Sequence, residues 1–321
     1  MTWAVGRGAM ADPPDQPRPA SHAGLFAAHR SAVVGAAYRV LGSLADAEDV
    51  AQETWLRWAD VPLAEVTTPR AYLVRIGTRL ALNRVRQLSR QRETYVGPWL
   101  PEPFGTLTQV GGGVGETGDP ARAVEVAESV SLAMLVVLES LGPAERAAFV
   151  LHEVFEVPYA EVADTLDRSE TAVRQLVHRA RGHVRDRTPR HPVDPTTHAR
   201  ITDRFLTALR SGALDELVAL MAPDVVLVSD GGGVKQTALR PIHGSDKILR
   251  FVLGILGRYS DPALEFAPCA VNGEPGLAAV AVAPDGSREL DSVAVLTVDD
   301  GLVTSILLVR NPAKLAAITL P

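Results

Sequence analysis

The chain has 321 residues, 46% of them apolar, with 32 Lys and Arg against 38 Asp and Glu for a formal net charge of −6. That length suits two or three domains with buried cores, and the negative balance excludes a uniformly basic nucleic-acid coat. The single cysteine, Cys269, excludes an intramolecular disulfide and a cysteine metal cluster, and no run nears the roughly 20 apolar residues that span a bilayer. Residues 1–20, with Asp12, Asp15 and four prolines, lack the apolar core of a signal peptide and read as a disordered leader. Met10 is a second candidate start. A cytoplasmic protein with no membrane partner is expected.

Residues 21–93 read as three helices. The first, Leu25 to Leu41, is broken by Gly42-Ser43. The second, Ala45 to Trp58, carries Asp46, Glu48, Asp49 and Glu53. An acidic first turn complements the helix dipole, which accounts for Asp46 to Asp49. It does not account for Gln52 and Glu53, or for a Trp55 and Trp58 pair that reads as exposed; these fit a protein-binding face. The third helix, Pro69 to Arg92, sets Tyr72, Leu73, Ile76, Leu80 and Val85 on its core side. Arg70, Arg75, Arg79, Arg84, Arg86, Arg90 and Arg92 supply the other side, with no acid in the stretch. A solvated face normally interleaves acids, because like charges at i,i+4 repel. An uninterrupted arginine face in an acidic chain therefore reads as a footprint for phosphates.

Residues 94–120 form a linker too rich in Gly and Pro for a long regular element. A bare spacer has no use for a large aromatic, so something is expected to pack on Trp99 and the Leu-Pro-Glu-Pro that follows it. A second helical unit, 121–188, opens with helical pattern from Val124 to Leu138 and a helix Ala144 to Val154, for which Pro143 suits the first turn. Pro158 to Val184 then reads as two short helices around a tight turn. Tyr159, Val162, Ala163 and Leu166 keep a buried spacing, Asp167-Arg168 interrupts it, and Ser169 is a natural N-cap. On the next helix Val173, Leu176, Val177 and Ala180 make an apolar stripe opposite Glu170, Arg174, Gln175, His178, Arg179 and Arg181. A helix with one apolar and one cationic side, laid across a preceding helix, is what a major groove accepts.

Residues 189–197 read as a proline-rich hinge and domain boundary. From 198 to 321 the pattern changes to helices at 199–210 and 213–221, a strand at 224–230, glycines at 231–233 and a helix at 246–258. Strands follow at 263–271, 276–283, 288–298 and 302–310, the last pair joined by the hairpin signal Asp300-Gly301. Helices followed by a meander predict an α+β domain in which a curved antiparallel sheet wraps a helix.

On these motifs residues 21–190 resemble the extracytoplasmic-function sigma factors, group 4 of the sigma-70 family, which direct bacterial RNA polymerase to promoters. The carriers are DAEDVAQETWLR at 46–57, PRAYLVRIGTRLALNRVR at 69–86 and PYAEVADTLDRSETAVRQLVHRAR at 158–181. The resemblance implies that Asp46, Asp49, Gln52, Glu53 and Trp55 dock on a basic coiled coil of the largest polymerase subunit. It implies that Arg75, Arg79, Asn83, Arg84, Arg86 and Arg90 hold the −10 element. The loop Val61 to Thr68 and the start of the next helix would take a melted base out of the stack. Ser169, Glu170, Thr171, Arg174, Gln175, His178 and Arg179 would then read the −35 element. The remainder resembles a subgroup with a C-terminal SnoaL-like extension, through YVGPWLPEP at 95–103, Asp230-Gly-Gly-Gly and Asn311-Pro-Ala-Lys-Leu. It departs from that subgroup at Asn83, Val234 and Ala313.

The expected architecture is multidomain. Two all-α sigma domains, a three-helix region 2 and a helix-turn-helix region 4, precede an α+β SnoaL-like cone whose curved antiparallel sheet wraps on helices. Core RNA polymerase and promoter DNA are the implied partners. No obligate anti-sigma partner, cofactor, metal or catalytic residue is expected, and a small ligand of the C-terminal domain is left open. Residues 199–321, with 11 Lys and Arg against 14 Asp and Glu, are read as a regulator in cis. Its interdomain residues are expected to be Asp230, Lys235, Asn311 and Lys314, meeting Trp99 and Pro101. Two rivals come from other classes. A SnoaL-like enzyme would place Asp230, His243, Asp246 or Asp291 in a pocket, although Asp246 is more simply a helix N-cap and fold does not imply function. A ligand-sensing helix-turn-helix regulator would explain the DNA reader and the pocket, but not the acidic docking helix or the tryptophan-bearing linker.

Overall fold

The computed structural model describes residues 21–107, 130–257 and 263–319, excepting the side chains of 89–93 and 319. The expected leader and the start of the helix expected at Val124 lie outside these residues. Three helices open the chain: α1 (His22–Leu41), α2 (Leu44–Trp58) and α3 (Pro69–Glu93). Ser21 and Ser43 cap α1 and α2 by accepting the Gly24 and Asp46 amide protons, which satisfies N–H groups a helix start leaves orphaned. Trp58 is fully buried and donates its indole N–H to the His22 carbonyl at 2.9 Å, while Trp55 leans half-buried on Phe26. The tryptophan pair read as exposed is therefore corrected: both rings fill the α1–α2 contact.

The second helical unit comprises α4 (Leu132–Glu139), α5 (Pro143–Phe149) with a π turn at Val150–Val154, α6 (Tyr159–Leu166) and α7 (Glu170–Arg187). The proline-rich stretch after it is docked rather than free. Asp299 accepts the Arg190 and His191 amide protons, Pro192 bridges to Asp299, and Asp194 caps α8 (Pro195–Ser211). α9 (Leu214–Leu220) and α10 (Ser245–Leu256) complete the helices of the C-terminal part. The N-cap of α10 is Gly244, with Asp246 in the first turn, so the capping role expected of Asp246 is not the one it has.

Among the described residues one eight-stranded sheet runs in the order β3-β2-β7-β6-β5-β4-β1-β8. Its strands are β1 (Gly105–Leu107), β2 (Met221–Asp230), β3 (Ile242–His243), β4 (Ala263–Val271), β5 (Glu274–Val282), β6 (Arg288–Asp299), β7 (Leu302–Val309) and β8 (Ile318–Thr319). β4 to β7 form the expected antiparallel meander. The sheet is mixed rather than wholly antiparallel, because β2 lies parallel to β7 and β8 parallel to β1. β1 comes from the linker: Gly105 pairs with Val271, and any Cβ there would stand 1.8 Å from the Ala270 carbonyl oxygen.

Both faces of this sheet are covered. Successive strand residues point to opposite sides. Leu277, Leu296, Val298 and Ile306 join α8–α10 in one core. Ala278, Val280, Val293, Val295, Leu307 and Val309 join a second core continuous with α1–α7 and the linker residues Leu100 and Leu107. That is why stretches such as 277–282 and 293–296 are apolar at consecutive positions instead of alternating.

Candidate nucleic-acid interface

The turn between α6 and α7 is built locally. Asp167 takes a left-handed conformation (φ 53°) to end α6, and Ser169 accepts the Ala172 amide proton to start α7. Val162, Ala163, Val173, Val177 and Ala180 bury the hairpin's inner side. Ser169, Glu170, Thr171, Arg174, Gln175, His178 and Arg179 are all exposed. Arg174 is ion-paired with Glu170 and lies 4.2 Å over the Tyr159 ring. The Arg179 Nε stands 3.7 Å from Glu145. This surface is open, with its arginines folded back on neighbours of their own unit.

The arginines of α3 are held differently. Arg75 donates to Glu161 at 2.8 Å and to Thr165 at 3.0 Å, and Arg79 donates to Asp167 at 3.0 Å. All three acceptors belong to α6 or its cap. Arg84 forks onto Asp46 at 2.8 and 3.0 Å. Asn83 and Arg86 are exposed beside each other, and the Arg90 side chain lies outside the described residues. The acids missing from residues 69–92 are thus supplied by the helix-turn-helix and by α2. On α2 itself Asp49, Gln52 and Glu53 are exposed in a row with Leu56, which is 67% exposed. Asp46 is turned inward to Arg84 instead.

The linker is the junction of all three parts. Trp99 lies against the α1 C-cap, where a Cβ on left-handed Gly42 would meet its ring at 2.6 Å. Pro101 is buried. Glu102 serves as an added cap for α2, its carboxylate accepting the Leu44 amide proton at 2.6 Å and the Ser43 hydroxyl proton at 3.1 Å. From the other side Asp230, wholly buried, accepts from the Tyr95 hydroxyl at 2.6 Å, the Leu100 amide at 2.9 Å and Lys314 at 2.7 Å. Lys314 also caps the Leu100 carbonyl and sits 3.9 Å over the Trp99 ring. Asn311 donates to the Tyr95 hydroxyl at 2.9 Å. Burial, and the bond to Asp230, push the Tyr95 phenol above its ordinary range. Lys235, expected at the linker, instead lies 3.6 Å from Asp291 inside the C-terminal part.

Five partners in these contacts were not among the expected residues. Tyr95 and Glu102 stood within the linker motif, and Glu161 and Asp167 are the acids that Arg75 and Arg79 find on the helix-turn-helix. Asn272 donates to the Tyr38 hydroxyl and the Val130 carbonyl while accepting the Phe104 amide proton. Its signal was Asn272-Gly273, an Asn-Gly pair between apolar runs, which turns β4 into β5 with positive φ at both residues.

Of the four candidate pocket acids and bases, Asp291 alone lines the cavity between the sheet and α8–α10. Asp230 is sealed at the linker, and His243 and Asp246 are exposed. Asp291 is bonded by Arg310 at 3.1 and 2.8 Å. Cys269 is buried in β4 and its thiol is pushed up to about 12, which leaves it inert. Among the described residues no helix is long and apolar enough to cross a membrane.

Residues 25–91 match the family Sigma-70 region 2, residues 131–184 match Sigma-70 region 4, and residues 202–306 match the SnoaL-like domain. The chain is 43% identical over 295 residues to the ECF RNA polymerase sigma factor SigJ of Mycobacterium tuberculosis, covering 90% of this chain and 91% of that protein. It is 31% identical over 288 residues to the probable ECF RNA polymerase sigma factor SigI of the same species, covering 90% and 92%. The crystal structure of Mycobacterium tuberculosis SigJ superposes with a TM-score of 0.71 at 37% identity, over 92% of this chain and 99% of that one. The helical units, the sheet packed on them and these likenesses agree: the chain belongs to the ECF RNA polymerase sigma factors, with regions 2 and 4 followed by a SnoaL-like domain.

Proposed function

We propose that this sigma factor docks on core RNA polymerase through the exposed row Asp49, Gln52 and Glu53, and reads the −35 element with α7 and the −10 element with α3. Its C-terminal domain and linker restrain it in cis, and it works in the cytoplasm without an obligate anti-sigma partner. One arrangement carries the restraint: Arg75 and Arg79 of α3 are already bonded to Glu161, Thr165 and Asp167, and the linker joining those two units is pinned at Tyr95 and Leu100 by Asp230 of the C-terminal domain. DNA phosphates and these acids compete for the same guanidinium groups. The free protein therefore offers the polymerase and −35 surfaces while the −10 surface is partly occupied. Polymerase would favour an opened form by binding it more tightly than the closed one.

Catalysis is not part of this reading. Asp291 is held by Arg310, with Lys235 beside it, and Asp230 is spent on Lys314 and the linker. A repressor would have no use for the exposed acidic row on α2. The test is run-off transcription with core polymerase across a promoter library, comparing the full chain with chains ending at 197 and at 310. The full chain should co-purify with core enzyme and start transcripts at defined promoters, and both truncations should change their strength. No co-purification and no transcript at any promoter would sink the sigma roles. Unchanged strength in both truncations, with the two DNA-reading units no further apart by scattering, would remove the restraint.

A further inference from the structure

We propose that Tyr159 is a positioning residue for −35 reading: with the π turn Val150–Val154 it forms a platform that holds the Arg174 guanidinium ready for a guanine, without touching DNA itself. This deepens the reading of α7 given above and rests on it. Two local irregularities mark the platform. α5 runs into a π turn, closed by the Phe155 amide on the Val150 carbonyl at 3.2 Å. Glu156 then takes a left-handed conformation (φ 57°), which glutamate rarely adopts. Both features cost free energy, and both kinds cluster at functional sites.

Side chains from this bend meet α7 at two points. The His152 ring stacks on Tyr159, with centroids 3.8 Å apart, and its Nδ1 lies 3.0 Å from the Val157 carbonyl oxygen, which fixes the imidazole. Arg174 lies 4.2 Å over the Tyr159 ring. Glu153, beside His152, accepts from Arg181 at 2.7 Å. Arg174, His178 and Arg181 follow at steps of four and three, so they share one exposed stripe of α7. Both ends of that stripe are therefore held by the π turn and the first residue of α6.

A guanidinium stacked on an aromatic face keeps its N–H donors in its own plane, clear of the ring. Glu170, bonded to the Arg174 Nη2, restricts rotation over the ring. An arginine already set in one orientation loses less side-chain freedom on meeting its partner. Guanine takes two parallel N–H donors at O6 and N7, so it gains most from that order. A loosely held arginine would serve any phosphate as well. Tyr159 is half-buried with Arg174 over its ring, so its influence on a base passes through that arginine.

The test measures binding of the full chain, assembled with core polymerase, to a promoter and to its single-base −35 variants. Arg174→Ala marks the base pair that this arginine reads, which should be G·C. At that position Tyr159→Phe should discriminate as the parent does. Pentafluorophenylalanine at 159 keeps the ring's shape but reverses the charge of its face, and should lose about two- to fivefold of the discrimination. Tyr159→Leu should lose at least as much. Other −35 positions should not change, and in an Arg174→Ala chain the fluorinated ring should have no further effect. A parent that treats all −35 sequences alike overturns the reading of α7 and this proposal with it. A parent that discriminates, with the fluorinated chain discriminating equally well, overturns the proposal alone. So does a marked pair other than G·C, or no marked pair. A uniform loss at every position, or a loss that persists in the Arg174→Ala chain, makes Tyr159 a structural residue and also overturns it.

Discussion

Helices α3 and α7 are both rich in arginine, yet the protein treats them in opposite ways. On α7 the arginines fold back on acids of their own unit, and the whole −35 candidate set stays exposed. On α3, Arg75 and Arg79 reach across to α6 and Arg84 reaches to α2, so three of its cations are partnered by other elements. Charge composition alone does not distinguish the two helices. What distinguishes them is where the neutralising acids come from, and therefore what must move before DNA can take their place. The α7 arginines and Arg84 are paired within their own units, whereas Arg75 and Arg79 are paired across two folded units, so moving those units apart would uncover them together.

The largest effect should come from breaking the junction that keeps those units together. Asp230→Ala leaves the Lys314 ammonium buried without its carboxylate, a change that typically costs about 3–5 kcal/mol. Denaturant unfolding should show that loss, and limited proteolysis should cut the linker near Tyr95 faster. If the variant remains folded, α3 should bind single-stranded −10 DNA better than the parent does. Unchanged stability and unchanged linker protection would show that the buried pair does not hold the junction.

Next in size is the loss of base reading on the open helix. Arg174→Ala should cost about 1–3 kcal/mol of discrimination at one −35 position while leaving binding to a mutated −35 element nearly unchanged. Competition binding with single-base −35 variants measures it directly. A uniform loss across all sequences would instead make Arg174 a phosphate contact.

A smaller effect is expected where the two helices meet. Glu161→Gln keeps the size of the side chain and removes one charge from the Arg75 pair, which is partly exposed at 26% and 36% of the side-chain surface. Such pairs contribute about 0.2–1 kcal/mol, so −10 strand binding should improve by no more than about fivefold. Binding of −35 duplex should not change. If both improve alike, the substitution acts through net charge and not through uncovering α3.

How much of this was legible depends on range. The sigma helices, the Ser169 cap and the meander follow from local pattern, so their sequences announce them. Trp99 announced a partner because a large aromatic in a Gly- and Pro-rich stretch has no local purpose. The linker's C-terminal partners lie more than a hundred residues away, and a single sequence does not pair Tyr95 with Asp230 or Arg75 with Glu161. The second covered face of the sheet was in principle readable, since the alanine and valine runs of β5 and β6 are apolar at consecutive positions. The tryptophan pair was misread because polar neighbours on α2 suggested an exposed face, whereas Trp58 is spaced to meet α1.

The smallest effect lies on the hairpin that carries Asn272. Glu274 begins β5 opposite Val271 and is half-buried, and burial raises its carboxyl above the usual carboxylate range, with His198 nearby opposing part of the shift. The folded state thus prefers Glu274 protonated. Its contribution to stability is fully present below the ordinary glutamate value of 4.5 and is lost as pH rises through the folded-state value. A neutral side chain of the same shape escapes that loss. Glu274→Gln should therefore raise the melting temperature at pH 7 by about 1–2 °C and leave it unchanged near pH 4. Since β5 lies far from the Arg75–Glu161 contact, the variant should bind −10 and −35 DNA as the parent does. A stabilisation equal at both pH values would mean that the gain comes from packing and not from relief of a buried charge.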